Sequence, residues 1–494
     1  MKNLITTLLI AISIDTFAQN LGKGITYCTE LGTTLSTGNS APFWLTANKR
    51  GMASIANNSQ YIRARLGRSL DADSLRTWRL GYGADVAICE HYDSRFFVQQ
   101  LYGEVQYRKG TLTIGAKEMP LMFKNEKLST GDMTYGINAH PIPQVRLALN
   151  DYWDLPLTDG WFGFKGHIAY GWFTDGKWQE EFTDGKSIHC KDVLFHSKSG
   201  YIRIGREDIL PVTFTAGVEF CAQFGGESWN IGRRADDTSD FKGGHVVMGN
   251  GLKSYWHAFF PGGRDATDGA YDNAEGNQVG SYQACIDYKG KRWSGKLYAE
   301  HFFEDHSQMF FQYDWRDFMW GLEVNVPRNP AVTTIVLEHL GTEDQSGCVY
   351  HDHTDLLTTQ LSGVDNYYNH SIYGAWHHWG QAIGNPTLVS PIYNKGVISF
   401  RNNRIKAYHI GVSGDPMQCL HYRLMYTHVR SLGTYAQPTT DPLSAHFFMA
   451  EATYSPSRLK GWSVTGAVAT NRGSLLGRSD GGMLTIRKKG VLTQ

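Results

Sequence analysis

The sequence predicts an all-β protein, a transmembrane antiparallel β-barrel of about 18 strands with long extracellular loops. Three observations carry that prediction. Apolar and polar residues alternate with period two along segments of about 9–12 residues, the reach of a tilted membrane-spanning strand, whereas soluble strands average about 5–6. The polar face of these segments carries full charges, which suits a wet lumen. Aromatic residues gather at segment ends, as in Trp78, Phe96-Phe97, Phe302-Phe303 and Phe447-Phe448, where interfacial girdles would sit.

Composition agrees with this class. Lys plus Arg and Asp plus Glu both number 47, so the 494 residues carry no formal net charge. That balance argues against a nucleic-acid partner held by phosphate attraction. Aromatics at 13%, with 54 Gly against 15 Pro, argue against disorder and favour strands joined by tight turns.

The N-terminus has the order of a secretory signal. Met1-Lys2-Asn3 supplies charge, Leu4 to Ile14 an apolar core, and Thr16-Phe17-Ala18 a small residue at the cleavage site. The apolar run is about half of the roughly 20 residues that a spanning helix needs. The chain therefore divides into a signal peptide at 1–18 and an outer-membrane barrel at 19–494. Export combined with alternation points to the outer membrane of a double-membraned bacterium, with outer-membrane lipid around the barrel.

Alternation is read segment by segment. In Tyr61 to Gly67, Ile62, Ala64 and Leu66 share one face, and Arg63 and Arg65 the other. In Phe97 to Tyr107, Phe97, Leu101, Gly103, Val105 and Tyr107 are assigned one face, and Gln100, Glu104 and Gln106 the opposite one. Trp293, Leu297 and Ala299 oppose Lys296 and Glu300, while Tyr422, Leu424 and Tyr426 oppose His421, Arg423 and Thr427. Candidate strands fall near 25–36, 59–69, 77–89, 95–107, 111–118, 142–150, 161–174, 193–206 and 212–223. They continue near 279–289, 292–303, 317–325, 331–340, 397–414, 419–431, 443–455, 461–470 and 480–488. The first is also readable as a plug or periplasmic segment, and 397–414 as two strands. The gaps 224–278 and 341–396 are too long for periplasmic turns and read as extracellular loops.

Enzymatic and metal chemistry find little support. There is no GxSxG, P-loop, dinucleotide fingerprint or zinc finger, and no cofactor is expected. His351-Asp352-His353 with Asp355 has metal-ligand chemistry but reads as a solvated loop, and Glu304-Asp305-His306 as a strand-to-loop turn. The seven cysteines are scattered without CxxC spacing and read as buried or lipid-facing thiols.

The segment 365–394 is dense in aromatic faces and planar amides, the groups that stack on sugars and take their hydroxyls. Asp365, Asn366, Tyr367, Tyr368, Trp376 and Trp379 are its candidate polysaccharide ligands. The competing reading is that Trp376 and Trp379 pack a loop or plug inside the barrel. Arg63, Arg65, Arg203 and Arg423, facing inward, could draw an acidic polymer. They could equally pair with inward carboxylates such as Glu104, Glu300 and Glu451, which zero net charge favours.

Several strings, in a consistent order along the mature chain, resemble the Wzi-type capsule assembly family, especially its Bacteroidetes branch. They include APFWLTANKRG at 41–51, HPIPQVRL at 140–147, EFCAQFGG at 219–226, GNQVGSY at 276–282, FFEDHS at 302–307 and DFMWGLE at 317–323. The longest is DNYYNHSIYGAWHHWGQAIGNPTLVSPIYN at 365–394, and GGMLTIRKKG stands at 481–490. The resemblance implies an outer-membrane barrel that acts as a cell-surface lectin for capsular or exopolysaccharide and helps assemble or anchor the capsule, without catalysis. The alternative is an outer-membrane porin or glycan-specific channel. A monomer is expected, since such a barrel closes without a second chain.

Overall fold

Each alternating segment becomes one strand of a single closed sheet. A computed structural model describes residues 21–232, 244–262, 275–304, 316–327, 329, 331–345 and 365–493. Its 18-stranded sheet runs β1 (Ile25–Gly38), β2 (Asn58–Arg68), β3 (Trp78–Glu90), β4 (Phe96–Tyr107), β5 (Gly110–Ala116) and β6 (Gln144–Asp154). It continues through β7 (Phe162–Trp172), β8 (Leu194–Ile204), β9 (Val212–Phe224), β10 (Asn277–Lys289), β11 (Ser294–Glu304) and β12 (Met319–Asn325). The remaining strands are β13 (Thr334–Gly341), β14 (Ile405–Met417), β15 (Leu420–Gly433), β16 (Pro438–Tyr454), β17 (Trp462–Gly473) and β18 (Ser479–Val491).

Each strand pairs antiparallel with its neighbours in sequence, and β1 closes the ring on β18, from Thr26 opposite Val491 to Gly38 opposite Ser479. Closure leaves no unpaired edge. The predicted segment 25–36 is thus a wall strand and not a plug. The segment 397–414 yields one strand, which begins at Ile405. The predicted signal peptide, Cys348 and the His351 cluster lie outside the described residues, as do Asp305 and His306. Cys28, Cys89, Cys190, Cys221, Cys285 and Cys419 are all free thiols.

Alternation places a belt of apolar side chains on the outer wall, among them Ile62, Leu101, Leu147, Ile202, Leu297 and Val468, all exposed. Such a belt would be a costly patch in water, at about 25 cal/mol per Å², and costs nothing against lipid. Exposed aromatics flank it, with Trp153, Trp293 and Trp462 toward the short-turn end and Phe96, Trp172, Trp320 and Tyr408 toward the long-loop end. Of the predicted girdle pairs, only one member each faces out, because neighbours in a strand point oppositely. Phe97, Phe302 and Phe447 point inward and are buried.

The expected faces of β4 need one correction. Phe97 is 6% exposed and Leu101 61% exposed, so the two do not share a face. Between the pairs Val86–Val98 and Asp85–Gln100 the register shifts, leaving Gln99 as an extra residue. This β-bulge sends Gln99 and Gln100 into the lumen together and reverses the parity beyond them.

Candidate functional site: the plugged lumen and its outer mouth

The connections at the barrel end where residues 21–24 and 492–493 lie are short, such as 108–109 and 418–419, whereas 39–57, 117–143, 173–193, 225–276 and 342–404 all join strands at the other end. Three of these long loops turn back into the barrel and interlock. Asn48 Nδ2 donates to the Thr130 carbonyl (3.0 Å), and the amides of Arg50 and Gly51 donate to Ile137 and Asn138. The 365–404 loop then docks on 117–143. Gly136 N donates to the Ile383 carbonyl (2.8 Å), Asn138 Nδ2 to Ala382 (3.0 Å) and Asn385 Nδ2 to Gly131 (2.9 Å).

The plug is tied to the wall around most of the ring. Phe43 N donates to Asn471 on β17 (3.0 Å), and its ring stacks on Phe447 of β16 with centroids 4.3 Å apart. Trp44 Nε1 donates to Thr427 on β15 (3.2 Å), and His409 Nε2 on β14 donates to the Leu128 carbonyl (2.6 Å). Thr130 N reaches Glu338 on β13 (2.7 Å), Met133 N reaches Glu300 on β11 (2.9 Å), and Gln99 of the β4 bulge donates to the Arg50 carbonyl (2.8 Å). Inward apolar residues such as Phe195, Met425, Val429 and Met449 join Trp44, Tyr368 and Ile383 in one buried cluster. Such contacts dry the lumen at this level and strengthen the polar bonds within it.

Charged side chains complete the docking. Lys124 of the plug lies 3.0 Å from Asp132 and also pairs with Glu300 of β11. Burial disfavours its charge, yet Asp132, Glu300 and Glu338 hold it above the ordinary lysine range. Arg63 grips Asp85 at 2.8 and 2.6 Å and reaches Glu118 of the plug at 2.9 Å. Arg65 shares Asp85 at 2.8 Å. Arg423 forks onto Glu451 at 2.7 and 2.9 Å, and Arg203 pairs with Asp154 at 2.8 Å. The four arginines therefore meet carboxylates. For Arg63 and Arg65 these are Asp85 and Glu118, while Glu104 takes Lys117 at 2.5 Å.

Among the candidate aromatics, Tyr367, Tyr368 and Trp376 are fully buried in the plug and offer no face to a polymer. Trp376 Nε1 donates to the Thr134 carbonyl (2.8 Å), and Tyr368 N donates to Glu304 of β11 (3.1 Å). Their geometry is that of packing, for a physical reason: flat apolar rings fill a dry lumen as well as they would stack on sugar. Trp379 is half-buried against Phe97 and His140, with its amide on Asp175 at 2.8 Å. Tyr368 and Trp379 both hold positive φ, 68° and 53°. Bulky residues adopt that region at a cost of about 1–3 kcal/mol, sustained here by the fixed partners around them.

Asp365 and Asn366 lie at the outer edge of the plug and remain partly exposed. Asn366 lines a cavity of about 410 Å³ at the long-loop mouth with Asn369, His370, Ser399, Arg401 and Gln437. Asn366 Oδ1 accepts from Asn369 (2.9 Å) and Asn403 (2.7 Å), and Asn369 Oδ1 accepts from Phe400 N (2.6 Å). These amides stiffen the cavity, while Arg401 and Gln437 remain exposed with donors to spare. Sequence reasoning missed Arg401 and Gln437. They come from chain-distant loops, and no local spacing links them.

No family model matches the chain, and no curated protein sequence matches it either. Among solved structures, the fold is similar to that of Wzi from Escherichia coli, described as a carbohydrate-binding outer-membrane β-barrel involved in group 1 capsule assembly. The two share 13% identity with a TM-score of 0.56, over 96% of this chain and 86% of that one. The chain is an outer-membrane-type β-barrel. OprD and OpdL of Pseudomonas aeruginosa also match this barrel, each at 9% identity and a TM-score of 0.47. OprD covers 96% of this chain and 94% of its own, and OpdL 95% and 99%.

Proposed function

We propose that this barrel is a non-catalytic outer-membrane protein, exported through a signal cleaved after Ala18, that binds capsular or exopolysaccharide and helps assemble or anchor the capsule. The observation that carries this reading is the mouth cavity, where the amides of Asn366, Asn369 and Gln437 and the Arg401 guanidinium stand among apolar residues such as Ile398 and Phe400, on a plug packed against the wall. Asn and Gln amides and a guanidinium suit sugar hydroxyls and acidic sugars. Each contact is weak, but a long polymer engages many barrels at once, and avidity multiplies them. The resemblance of the 365–394 string to Wzi-type proteins and the shared fold support the same reading.

The test is capsule retention in the native host. Deleting the gene should release polymer into the medium with synthesis intact. Wild-type complementation should restore cell-bound polymer, and Arg401→Ala with Gln437→Ala should not. Unchanged cell-bound polymer on deletion would sink the anchoring role.

One observation favours a porin or glycan-specific channel instead. Beneath the plug, at mid-barrel, a lumenal cavity of about 300 Å³ carries Arg146 and Lys165 together with Glu118, Asp132 and Glu219. Among the described residues neither Arg146 nor Lys165 has a carboxylate within ion-pair distance, which leaves both cations available to a polar solute that enters the cavity. A stable conductance in planar bilayers would support that channel.

A further inference from the structure

The loop between β9 and β10 carries a helix, α1 (Leu252–Phe259), that packs on the outside of the barrel. Strand parity establishes this. On β9, Thr213, Thr215 and Glu219 face the lumen, so Phe214, Phe220, Ala222 and Phe224 face outward. Phe214 is exposed, as a lipid-facing residue should be, but Phe220, Ala222 and Phe224 are buried. What covers the last two is α1, whose Ala258 clusters with Ala222 and Phe224, with Tyr255 packed alongside. Outward residues of the neighbouring strands bond to it. Tyr170 of β7 donates to the Tyr255 carbonyl (3.0 Å), and Gln278 of β10 to the His257 carbonyl (3.2 Å). Lys198 of β8 donates to the Phe259 carbonyl, its ammonium 4.5 Å from the Phe220 ring and 4.4 Å from that of Phe259.

The opposite face of α1 is apolar and uncovered. Leu252 is 92% exposed, Trp256 62% and Phe260, just past the last turn, 50%. Spaced by four, they form one stripe. Lys253 is exposed beside it. The stripe continues an interface already present. The long-loop girdle shows Phe96, Trp172, Trp320 and Tyr408 on β4, β7, β12 and β14. Between them, on the long-loop halves of β8 to β11, no large apolar side chain is exposed among the described residues. That gap is the sector α1 covers, and Ile202, Phe214 and Ile286 of the lipid-facing belt are exposed on its short-turn side.

We propose that α1 is an interfacial anchor that lays Leu252, Trp256 and Phe260 into the outer leaflet at headgroup depth, completing the girdle over β8–β11. Its occupant is lipid: the stripe abuts the belt, Trp favours the headgroup boundary, and Lys253 is placed to meet lipid phosphate. Through α1 the leaflet holds the base of the 225–276 loop against the barrel.

The test is fluorescence quenching of the full-length protein in phosphatidylcholine vesicles brominated at shallow or deep acyl positions. Trp256→Phe keeps the apolar stripe and removes the reporter. The wild type should be quenched more than Trp256→Phe by shallow bromines, with a smaller difference for deep ones. Trp229→Phe is the control, because that ring stacks between His189 and His245 in the loops; it should leave the quenching by lipid unchanged. Quenching of Trp172, Trp320 and Trp462 reports that the barrel is inserted. If those are quenched while the wild type and Trp256→Phe agree in both lipids, the stripe does not meet lipid and the proposal is overturned. A dimer in the wild type that is lost in Trp256→Asp, with no lipid quenching of Trp256, would assign the stripe to a second copy and overturn it equally.

Discussion

Lys124 Nζ lies 3.0 Å from Asp132 Oδ1 inside the barrel, and both groups are buried. One belongs to the same plug loop as the other, yet they are held to the wall by a third group, Glu300 of β11. Burial lifts the Asp132 carboxyl to about 6, even with the ammonium beside it. Lys124→Met keeps the length of the side chain and removes its charge. Asp132 and Glu300 would then face each other unpaired, a loss of about 3–5 kcal/mol from plug docking. The expected result is a barrel that folds and inserts but whose 117–143 loop is cut by protease within minutes. Protection equal to the wild type would mean that the apolar cluster alone holds the plug.

Gly384 sits where two loops touch most closely. A Cβ there would fall 1.9 Å from the Met133 carbonyl oxygen and 2.1 Å from the Tyr368 hydroxyl. Both atoms belong to the knot joining the 365–404 loop to 117–143, since Tyr368 OH also donates to Met133 O and accepts from Asn385 N. Backbone cannot yield as a flexible side chain can, so Gly384→Ala should cost about 1–3 kcal/mol by overpacking. Heat-modifiable gel migration should stay as in the wild type while current noise or open events appear in planar bilayers. A silent bilayer trace from a folded Gly384→Ala barrel would show that the loops separate without opening the lumen.

The wall was legible and the plug was not, for reasons visible in single residues. Ile62 and Arg63 differ so strongly in polarity that their faces could be assigned from alternation alone. Phe97 and Leu101 could not be sorted, because both are apolar and nothing local marks Gln99 as the extra residue of a bulge. Inward residues such as Phe447 and Met449 break the rule of a wet lumen, since at their level the lumen holds Phe43 and Trp44 instead of water. Tyr367, Tyr368 and Trp376 have the composition of a sugar site and the burial of a core. Only the folded loop decides between those uses. The mouth cavity depends on Asn366, Arg401 and Gln437 meeting across 71 residues of chain, a juxtaposition that no spacing encodes.

The plug should also respond to acid, through His140. Its ring stacks on Phe97 at 4.6 Å, and Nδ1 donates to Gln99 Oε1 at 2.7 Å. Burial, with His378 and Arg63 adding repulsion, depresses its pKa to about 3. In an undocked plug it would titrate near 6.5. Above about 6.5 both states are neutral at this position and docking keeps its full strength. As pH falls from about 6.5 toward 3, the undocked state takes up a proton that the docked state refuses, and docking weakens by about 1.4 kcal/mol per pH unit. Asp132, lifted to about 6, titrates in the same range with the opposite sign, so a curve for the whole protein mixes the two. The difference between the wild type and His140→Asn isolates the imidazole. Urea titrations of plug release, followed by protease protection at pH 7.5, 5.5 and 4.5, should show the wild type losing more midpoint than the variant at each step down. Equal losses in both proteins would mean that His140 keeps its ordinary pKa in the docked plug, or stays buried when the plug lets go.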